Sequence, residues 1–416
     1  MPALAISFEP SFQREFRSRG EPNRQPIQFM RIAYITADPG VPVFGRKGCS
    51  IHAQQVLKAM LKRGVEVDLF ATSCAGEVTE GLDKLHVHAL PPAPKGDLAS
   101  REKLCLAANE GLRSALESQG PFTMIYERYS LWSFAGMEYA RTAGIPRLLE
   151  VNAPLIEEQA EHRGLIDHAA AERVAERVFA AATALIAVSE QVAEYLQRHP
   201  STAGKVHVVP NGVNPEDFLA PASASRSKGS PFTVGFVGSM KPWHGVGNLI
   251  EAFALMKEEE GSRLLLVGDG PAREELATQA AALGLEGSVQ FTGSVAPERV
   301  PGLLASMDVG VAPYPKLANF YFSPLKVYEY MAAGLPVVAG RVGQLEQLIE
   351  SEVTGLLFAP GDTRGLAGAL KRLSKDVELR QRLGQAAREK VLREHTWDGA
   401  VEKIFSVAGM LNHATS

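Results

Sequence analysis

The sequence is poor in cysteine, in net charge and in long apolar runs, and each shortage removes a class of function. Three cysteines stand in 416 residues, Cys49, Cys74 and Cys105. That is an odd number without metal-ligand spacing, so neither a disulfide scaffold nor a cysteine-held metal is expected, and small semi-buried thiols in a reducing cytoplasm suit them. A formal net charge of −4 and a pI of about 6.2 give a nucleic-acid role no electrostatic support. No apolar run is long enough to span a bilayer. Residues 1–29 are polar and arginine-rich and lack the apolar core of a signal peptide. They read either as a disordered extension or as a segment upstream of a natural start at Met30. The loop after the first strand (ADPGVPVFGRKG) is not a G-x-G-x-x-G fingerprint, which disfavours a nicotinamide-dependent oxidoreductase.

What is present is the composition of a soluble globular protein, 45% hydrophobic and 22% charged, in a chain too long for one ordinary core. From Met30 onward strands and helices alternate. Strands are expected at 31–36, 65–70, 84–88, 122–126, 147–151, 183–188 and 205–209, and helices at 50–63, 98–118, 131–143, 155–181 and 189–198. An Ala/Ser/Pro/Gly-rich stretch at 219–231 reads as a linker. The alternation then restarts, with strands at 232–237, 263–267, 288–291, 308–312, near 337 and at 355–358. Helices are expected at 246–258, 271–284, 297–305, 364–374, 377–393 and 397–411. This order predicts an α/β protein of two tandem, Rossmann-like, doubly wound domains, with ligands in the cleft between them.

The stretch 319–340 (NFYFSPLKVYEYMAAGLPVVAG) reads as a turn, a helix and a buried strand. Ser323 suits the N-cap and Pro324 the first helical position, and Gly334 suits the left-handed C-terminal cap. Lys326 then sits in the first turn, at the positive end of the helix dipole, where a cation is disfavoured. A bound anion resolves the conflict, because free amides and an ammonium both face it. Glu329 is placed to grip a neutral polar group beside that anion, as in a nucleotide. The plainer alternative is a surface pair between Lys326 and Glu329, three residues apart.

The strand ends of the second half carry matching turns: Gly238-Ser239-Met240-Lys241-Pro242-Trp243-His244-Gly245, Gly268-Asp269-Gly270-Pro271 and Thr292-Gly293-Ser294-Val295. Glycine lets backbone approach a ligand closely, and several such turns on one sheet edge point to a nucleotide cleft. In the first half, Gly45, Arg46, Lys47 and Gly48 precede a helix and suit a second ligand, an acceptor or a phosphate; a solvated basic loop is the alternative. His52, one turn into that helix, reads as a packed histidine.

With these segments in view, the chain resembles the retaining, nucleotide-sugar-dependent glycosyltransferases of family 4, which have the GT-B fold. The resemblance rests on Val208-Val209-Pro210-Asn211-Gly212-Val213-Asn214, Ala187-Val188-Ser189-Glu190, Val267-Gly268-Asp269-Gly270-Pro271 and Tyr328-Glu329-Tyr330-Met331-Ala332-Ala333-Gly334-Leu335-Pro336-Val337-Val338, and it covers Met30 to about Thr396. It implies domains at 30–215 on the acceptor side and 216–395 on the nucleotide-sugar side, with 396–416 crossing back to the first domain. It also implies transfer of a hexose-type sugar from a UDP- or GDP-linked donor, with retained configuration and no obligatory metal or cofactor. Glu329 corresponds to the second glutamate of the family's Glu-x(7)-Glu motif and would hold the ribose hydroxyls. Phe322 and the backbone at Ser323, Pro324 and Leu325 correspond to the loop that touches sugar and diphosphate. Gly268 and Gly270, with Ser294 and Val295, correspond to the nucleoside wall.

Several positions depart from the family pattern. Tyr321 stands where the first motif glutamate falls, Ser239 where an arginine is common, and His244 where a lysine is common. Asn152, with Glu150 nearby, stands where many members carry a histidine beside the reacting sugar, and Tyr126-Glu127-Arg128-Tyr129 replaces a histidine-containing stretch. Losing two electrostatic donors of this kind would cost about 2.7–4 kcal/mol each. Lys241 and Lys326 are expected to supply the missing charge. The resemblance leaves the acceptor open among glycan, lipid-linked and small-molecule classes, as in bacterial polysaccharide synthesis. It implies a cytoplasmic protein, including one at the inner face of the membrane. Lys58, Lys62 and Arg63 form one basic helix end there, for which complementing the helix dipole is the simpler role. The competing readings are a nucleotide-sugar binder that has lost turnover and, more remotely, a nucleotide-sugar epimerase.

Overall fold

The computed structural model describes residues 30–92, 96–218, 230–256, 261–317 and 320–410. The extension at 1–29, all but the end of the expected linker, Asn319 and the tip of the last expected helix lie outside these residues.

Two parallel sheets organise the chain. The first joins β1 (Arg31–Thr36), β2 (Glu66–Ala71), β3 (His86–Ala89), β4 (Met124–Arg128), β5 (Arg147–Val151), β6 (Ala184–Ala187) and β7 (Val206–Val208) in the order β3-β2-β1-β4-β5-β6-β7. The second joins β8 (Thr233–Val237), β9 (Arg263–Val267), β10 (Val289–Phe291), β11 (Val309–Ala312), β12 (Val337–Gly340) and β13 (Gly355–Phe358) in the order β10-β9-β8-β11-β12-β13. Strands of this kind are buried on both faces, which is why they read as apolar runs such as Leu264-Leu265-Leu266-Val267. The order reverses between β1 and β4 and again between β8 and β11. Such reversals open a crevice at the carboxyl edge of a sheet, where ligands bind.

Helices cover both faces. In the first domain α1 (Gly48–Lys62) lies on one side, and α2 (Leu98–Gln119), α3 (Ala135–Ala143), α4 (Leu155–His162), α5 (His168–Ala181) and α6 (Glu190–Gln197) follow in order. In the second, α7 (Val246–Ala254), α8 (Arg273–Ala282) and α12 (Thr363–Lys375) share a core with Phe236 and Leu266. The opposite face packs α10 (Leu325–Ala332) and α13 (Val377–Glu394) around Tyr328, Tyr330 and Val391; α9 (Val300–Ala305) and a short unexpected α11 (Leu345–Leu348) complete it.

Two helices differ from expectation. The single helix over 155–181 is broken: Gly164 takes φ +82°, and Asp167 caps a fresh start by accepting from Ala170 N. The helix expected from 131 begins only at Ala135, because Asn109 Oδ1 accepts from the backbone N–H of Phe134 and Ala135 and fixes the terminus there.

The chain passes between the sheets twice, side by side. Val213 N donates to His395 O at 3.0 Å, and Trp397 N donates to Val213 O at 3.1 Å. Gly212 permits this approach, since a Cβ there would lie 2.5 Å from the carbonyl carbon of Thr396. The last helix, α14 (Trp397–Val407), packs Trp397, Ile404 and Phe405 into the α1 side of the first domain. Lys62 pairs with Glu216 at 2.7 Å and Asp398 at 3.0 Å, and Arg63 reaches Glu402 at 3.2 Å. This basic helix end therefore clamps the crossover; its charge is met by protein carboxylates as well as by the helix dipole. Among the described residues no helix is long and apolar enough to cross a membrane.

Candidate functional site

The site is built where the second sheet reverses. Its floor is β8, its roof α10. Tyr330 of α10 holds the strand end by accepting from Val237 N at 2.7 Å. The following turns are laced by backbone bonds: Gly238 N to Val267 O at 2.9 Å, Met240 N to Asp269 O at 2.9 Å and Gly268 N to Gly293 O at 3.1 Å. Gly238, Gly268, Gly270 and Gly293 thus form one continuous glycine-rich wall. Gly268 has no alternative, with φ at +128° and a Cβ that would lie 2.1 Å from Gly238 O. Beyond the wall Ser294 is exposed and Val295 half-buried.

Lys326 enters this wall from α10. The helix starts one residue later than expected, because Pro324 takes the N-cap position with no side-chain cap. Ser323 is not the cap. Its Oγ accepts from Asn211 N at 3.3 Å and its carbonyl accepts from Asn211 Nδ2 at 2.6 Å, so it ties the helix to the interdomain segment. Lys326 is 8% exposed and its Nζ has no hydrogen-bond partner among the described residues. The ammonium lies 4.1 Å from the centre of the Phe236 ring and 5.3 Å from that of Tyr314. It also crowds the Gly238 turn, where a Cβ would meet it at 2.8 Å. Burial pulls its pKa down to about 7, which Glu329 opposes. Burial pushes Glu329 up to about 7, which Lys326 opposes. Both groups are therefore poised between charged and neutral near physiological pH, a pattern that gathers at functional sites.

Lys241 and His244 lie in the turn that follows β8. Lys241 Nζ lies 4.8 Å over the Trp243 ring, and Trp243 stacks on His162 of α4 at 5.5 Å across the domain boundary. His244 donates from Nδ1 to the Ser239 carbonyl and packs edge-on to Tyr314 at 5.6 Å. Burial, with Lys326 and then Lys241 adding to it, lowers its pKa to about 3, so the ring is neutral at physiological pH. Ser239 itself is exposed. Lys326 is thus the buried cation of this wall.

The loop 320–323 meets the first domain. Tyr321 OH donates to Glu158 Oε2 of α4 at 2.8 Å, and Ser189 Oγ donates to Tyr321 O at 2.8 Å. Phe322 stacks on Tyr314 at 6.5 Å. At the carboxyl end of β5, Asn152 Nδ2 donates to Glu150 Oε1 at 2.9 Å, and Asn152 Oδ1 is buried with no partner among the described residues. Glu150 is fully engaged. It accepts from Tyr126 OH and from Arg128 Nη1 at 3.0 Å, and His52 Nε2 lies 3.0 Å away. Burial raises its pKa, but His52, Arg128 and Tyr126 overcome this and hold it at about 2. These partners favour the carboxylate form of Glu150, which holds Asn152 in place. His52 is packed, edge-on to Trp397 at 5.3 Å.

Gly45, Arg46, Lys47 and Gly48 lead into α1. Gln54 Nε2 pins their loop through Val43 O and Gly45 O, each at 2.8 Å, and Lys47 faces a cavity in the first domain. Three residues with structural roles here carry no short-range sequence signal. They are Glu158, Asn211 as a ligand of Ser323, and Arg388, which donates to Ala332 O at the end of α10 and to Phe218 O.

Comparison with known proteins fits this architecture. Residues 46–217 match the family described as Glycosyltransferase Family 4, and residues 231–376 match the one described as Glycosyl transferases group 1. A D-inositol 3-phosphate glycosyltransferase of Acidothermus cellulolyticus is 28% identical over 411 residues, covering 92% of this chain and 90% of that protein. The protein of the same name from Salinispora tropica is 26% identical over 394 residues, covering 87% and 80%. Among solved structures, sucrose-phosphate synthase from Thermosynechococcus elongatus superposes with a TM-score of 0.72 at 23% identity, covering 91% of this chain and 98% of that one. HepE of Anabaena in complex with UDP-glucose superposes with a TM-score of 0.71 at 21% identity, covering 92% and 100%. This chain belongs to the GT-B glycosyltransferases, with a Family 4 first half and a group 1 second half.

Proposed function

We propose that the protein transfers a hexose-type sugar from a nucleoside-diphosphate sugar to an acceptor hydroxyl with retention of configuration. The observation that carries this reading is Lys326: a buried ammonium without a hydrogen-bond partner among the described residues, at the start of a helix with no side-chain cap, against a glycine-rich turn. Such a helix terminus favours an anion, and a diphosphate supplies one. The relatives named above act on inositol 3-phosphate by name, and HepE was solved with UDP-glucose, which favours a nucleotide-sugar donor and leaves the acceptor open.

In this reading the Gly238 and Gly268 turns admit the diphosphate close to backbone. Glu329 holds the ribose hydroxyls, and Ser294 and Val295 flank the base. The bond from sugar C1 to the diphosphate oxygen breaks, with its electron pair going to that oxygen. The acceptor oxygen bonds C1 on the same face, and its proton passes to the departing diphosphate. Charge grows on the leaving oxygen, and preorganised amides with Lys326 are worth most at that point. The charge is assigned to these groups and not to a metal. Asn152, held by Glu150, is assigned to the sugar hydroxyls on the first-domain side.

His244, neutral and bonded to its own turn, favours a second reading, a nucleotide-sugar binder with impaired turnover. One experiment separates the two. Thermal stabilisation is measured across UDP, GDP, TDP and ADP, and nucleotide release is measured with each corresponding sugar donor. Stabilisation by one diphosphate together with release supports the transferase. Stabilisation without release from any donor supports the binder.

A further inference from the structure

A cavity of about 1120 Å³ opens at the carboxyl edge of the first sheet, beside the loop after β1. It exceeds the roughly 300–1,000 Å³ typical of small-ligand pockets. Its lining is predominantly apolar, and Leu98, Leu104, Leu131, Trp132 and Leu155 all face it. None of these is fully buried, and Leu104 is 51% exposed. Large side chains standing half-open around an empty volume mark a place where an apolar body is missing. The polar side of the cavity is not random. Glu158 and Gln159 of α4 and Arg163 just beyond it contribute to it, together with Arg101, Glu102 and Glu110 of α2, and Glu158 is the residue that meets Tyr321 of the loop before α10. The cavity is therefore joined to the loop that leads into α10 through one hydrogen-bonded contact.

We infer that the acceptor is an amphiphile, with a long apolar body seated in this cavity and a hydroxyl-bearing head lying along α4 toward Glu158. This rests on the glycosyltransferase reading, and it narrows the acceptor to one class. A free sugar or polyol phosphate would leave Leu104, Leu131 and Trp132 unfilled. An amphiphile buries them and still brings a hydroxyl to the boundary with the donor site. Burying a methylene is worth roughly 0.8 kcal/mol, about fourfold in affinity for each one added.

The test uses the full-length protein and alkyl glucosides from methyl to decyl, each below its micelle-forming concentration. Binding is read by tryptophan fluorescence without donor, and nucleotide release is read separately with donor. Affinity should rise several-fold per added methylene, and nucleotide release should rise with it. Two variants accompany the wild type: Leu104→Ser, which roughens the lining, and Ala108→Trp, which fills the volume from an exposed position on α2. Both should flatten the dependence on chain length and leave nucleoside-diphosphate stabilisation unchanged. Affinity independent of chain length in the wild type, or equal in Ala108→Trp, overturns the assignment. Chain-length-dependent binding without nucleotide release from any donor leaves the cavity assigned and removes the transferase reading instead. Preferential binding of aryl over alkyl glucosides of equal apolar area would place an aromatic body there rather than an aliphatic one, within the same class.

Discussion

Lys326 and Glu329 stand three residues apart on α10, and among the described residues no ion pair joins them. The ammonium is turned instead onto the Phe236 ring, with no hydrogen-bond partner. A helix surface pair at this spacing is worth only about 0.2–0.5 kcal/mol. Leaving the ammonium buried without a hydrogen bond costs more than that, about 1–3 kcal/mol or more for a charged group. The arrangement is disfavoured for the empty protein and favoured once an anion arrives.

Lys326→Ala should therefore separate stability from turnover. The variant should fold with a melting temperature equal to or above wild type, because a buried unpaired amine is removed. Its kcat/KM for the nucleotide sugar should fall about 10²–10³-fold, the usual effect of removing one such donor. Steady-state kinetics and a melting curve check both halves.

The pH dependence follows from the same pair. Lys326 has its pKa lowered to about 7 in the fold, so between that value and its unfolded value the unfolded chain holds more protons. This term raises stability as pH rises from about 7 toward 10.5 and is constant below 7. Glu329 is raised to about 7, so its term lowers stability as pH rises from 4.5 to about 7. Nucleoside-diphosphate binding restores the charge on Lys326 and should take up a proton near pH 8. Titration calorimetry in buffers of different ionisation enthalpy measures that uptake, and Lys326→Ala should abolish it.

Glu329→Gln should raise the donor KM more than it lowers kcat, since a grip on the ribose acts in ground and transition states alike. It should also remove the acid limb of the stability profile. Deoxyribonucleotide sugars lacking the gripped hydroxyl should bind wild type and variant with similar affinity.

Tyr321→Phe removes the hydrogen bond to Glu158 that spans the two domains. The bond has a carboxylate acceptor, so the expected coupling in a double-mutant cycle with Glu158→Ala, which removes the acceptor, is about 1.5–3 kcal/mol. Urea unfolding of the four proteins measures it.

Much of this architecture was legible along the chain. The strands and their burial follow from apolar runs such as those of β9 and β12, and the two series of alternating elements imply the two sheets. Local dipole conflict singled out Lys326, and the fold buries that side chain against Phe236. What a single sequence did not reveal were contacts made across long separations. Ser323 looked like a helix cap because Ser before Pro has that local chemistry, yet its partner is Asn211, 112 residues away. The break at Gly164 was hidden because one glycine inside an apolar period is compatible with a continuous helix. His244 stood out only as a departure at a position where a lysine is common, and the fold shows its Nδ1 spent on Ser239. Glu158 carried no motif at all; its role comes from where α4 docks.

The central claim is that a diphosphate rests against Lys326 and the first turn of α10. A crystal structure with the stabilising nucleoside diphosphate bound tests it most directly. The account predicts a phosphate oxygen within hydrogen-bond distance of Lys326 Nζ, with the ammonium drawn off the Phe236 ring. A diphosphate bound elsewhere, with Lys326 still on that ring, would contradict it.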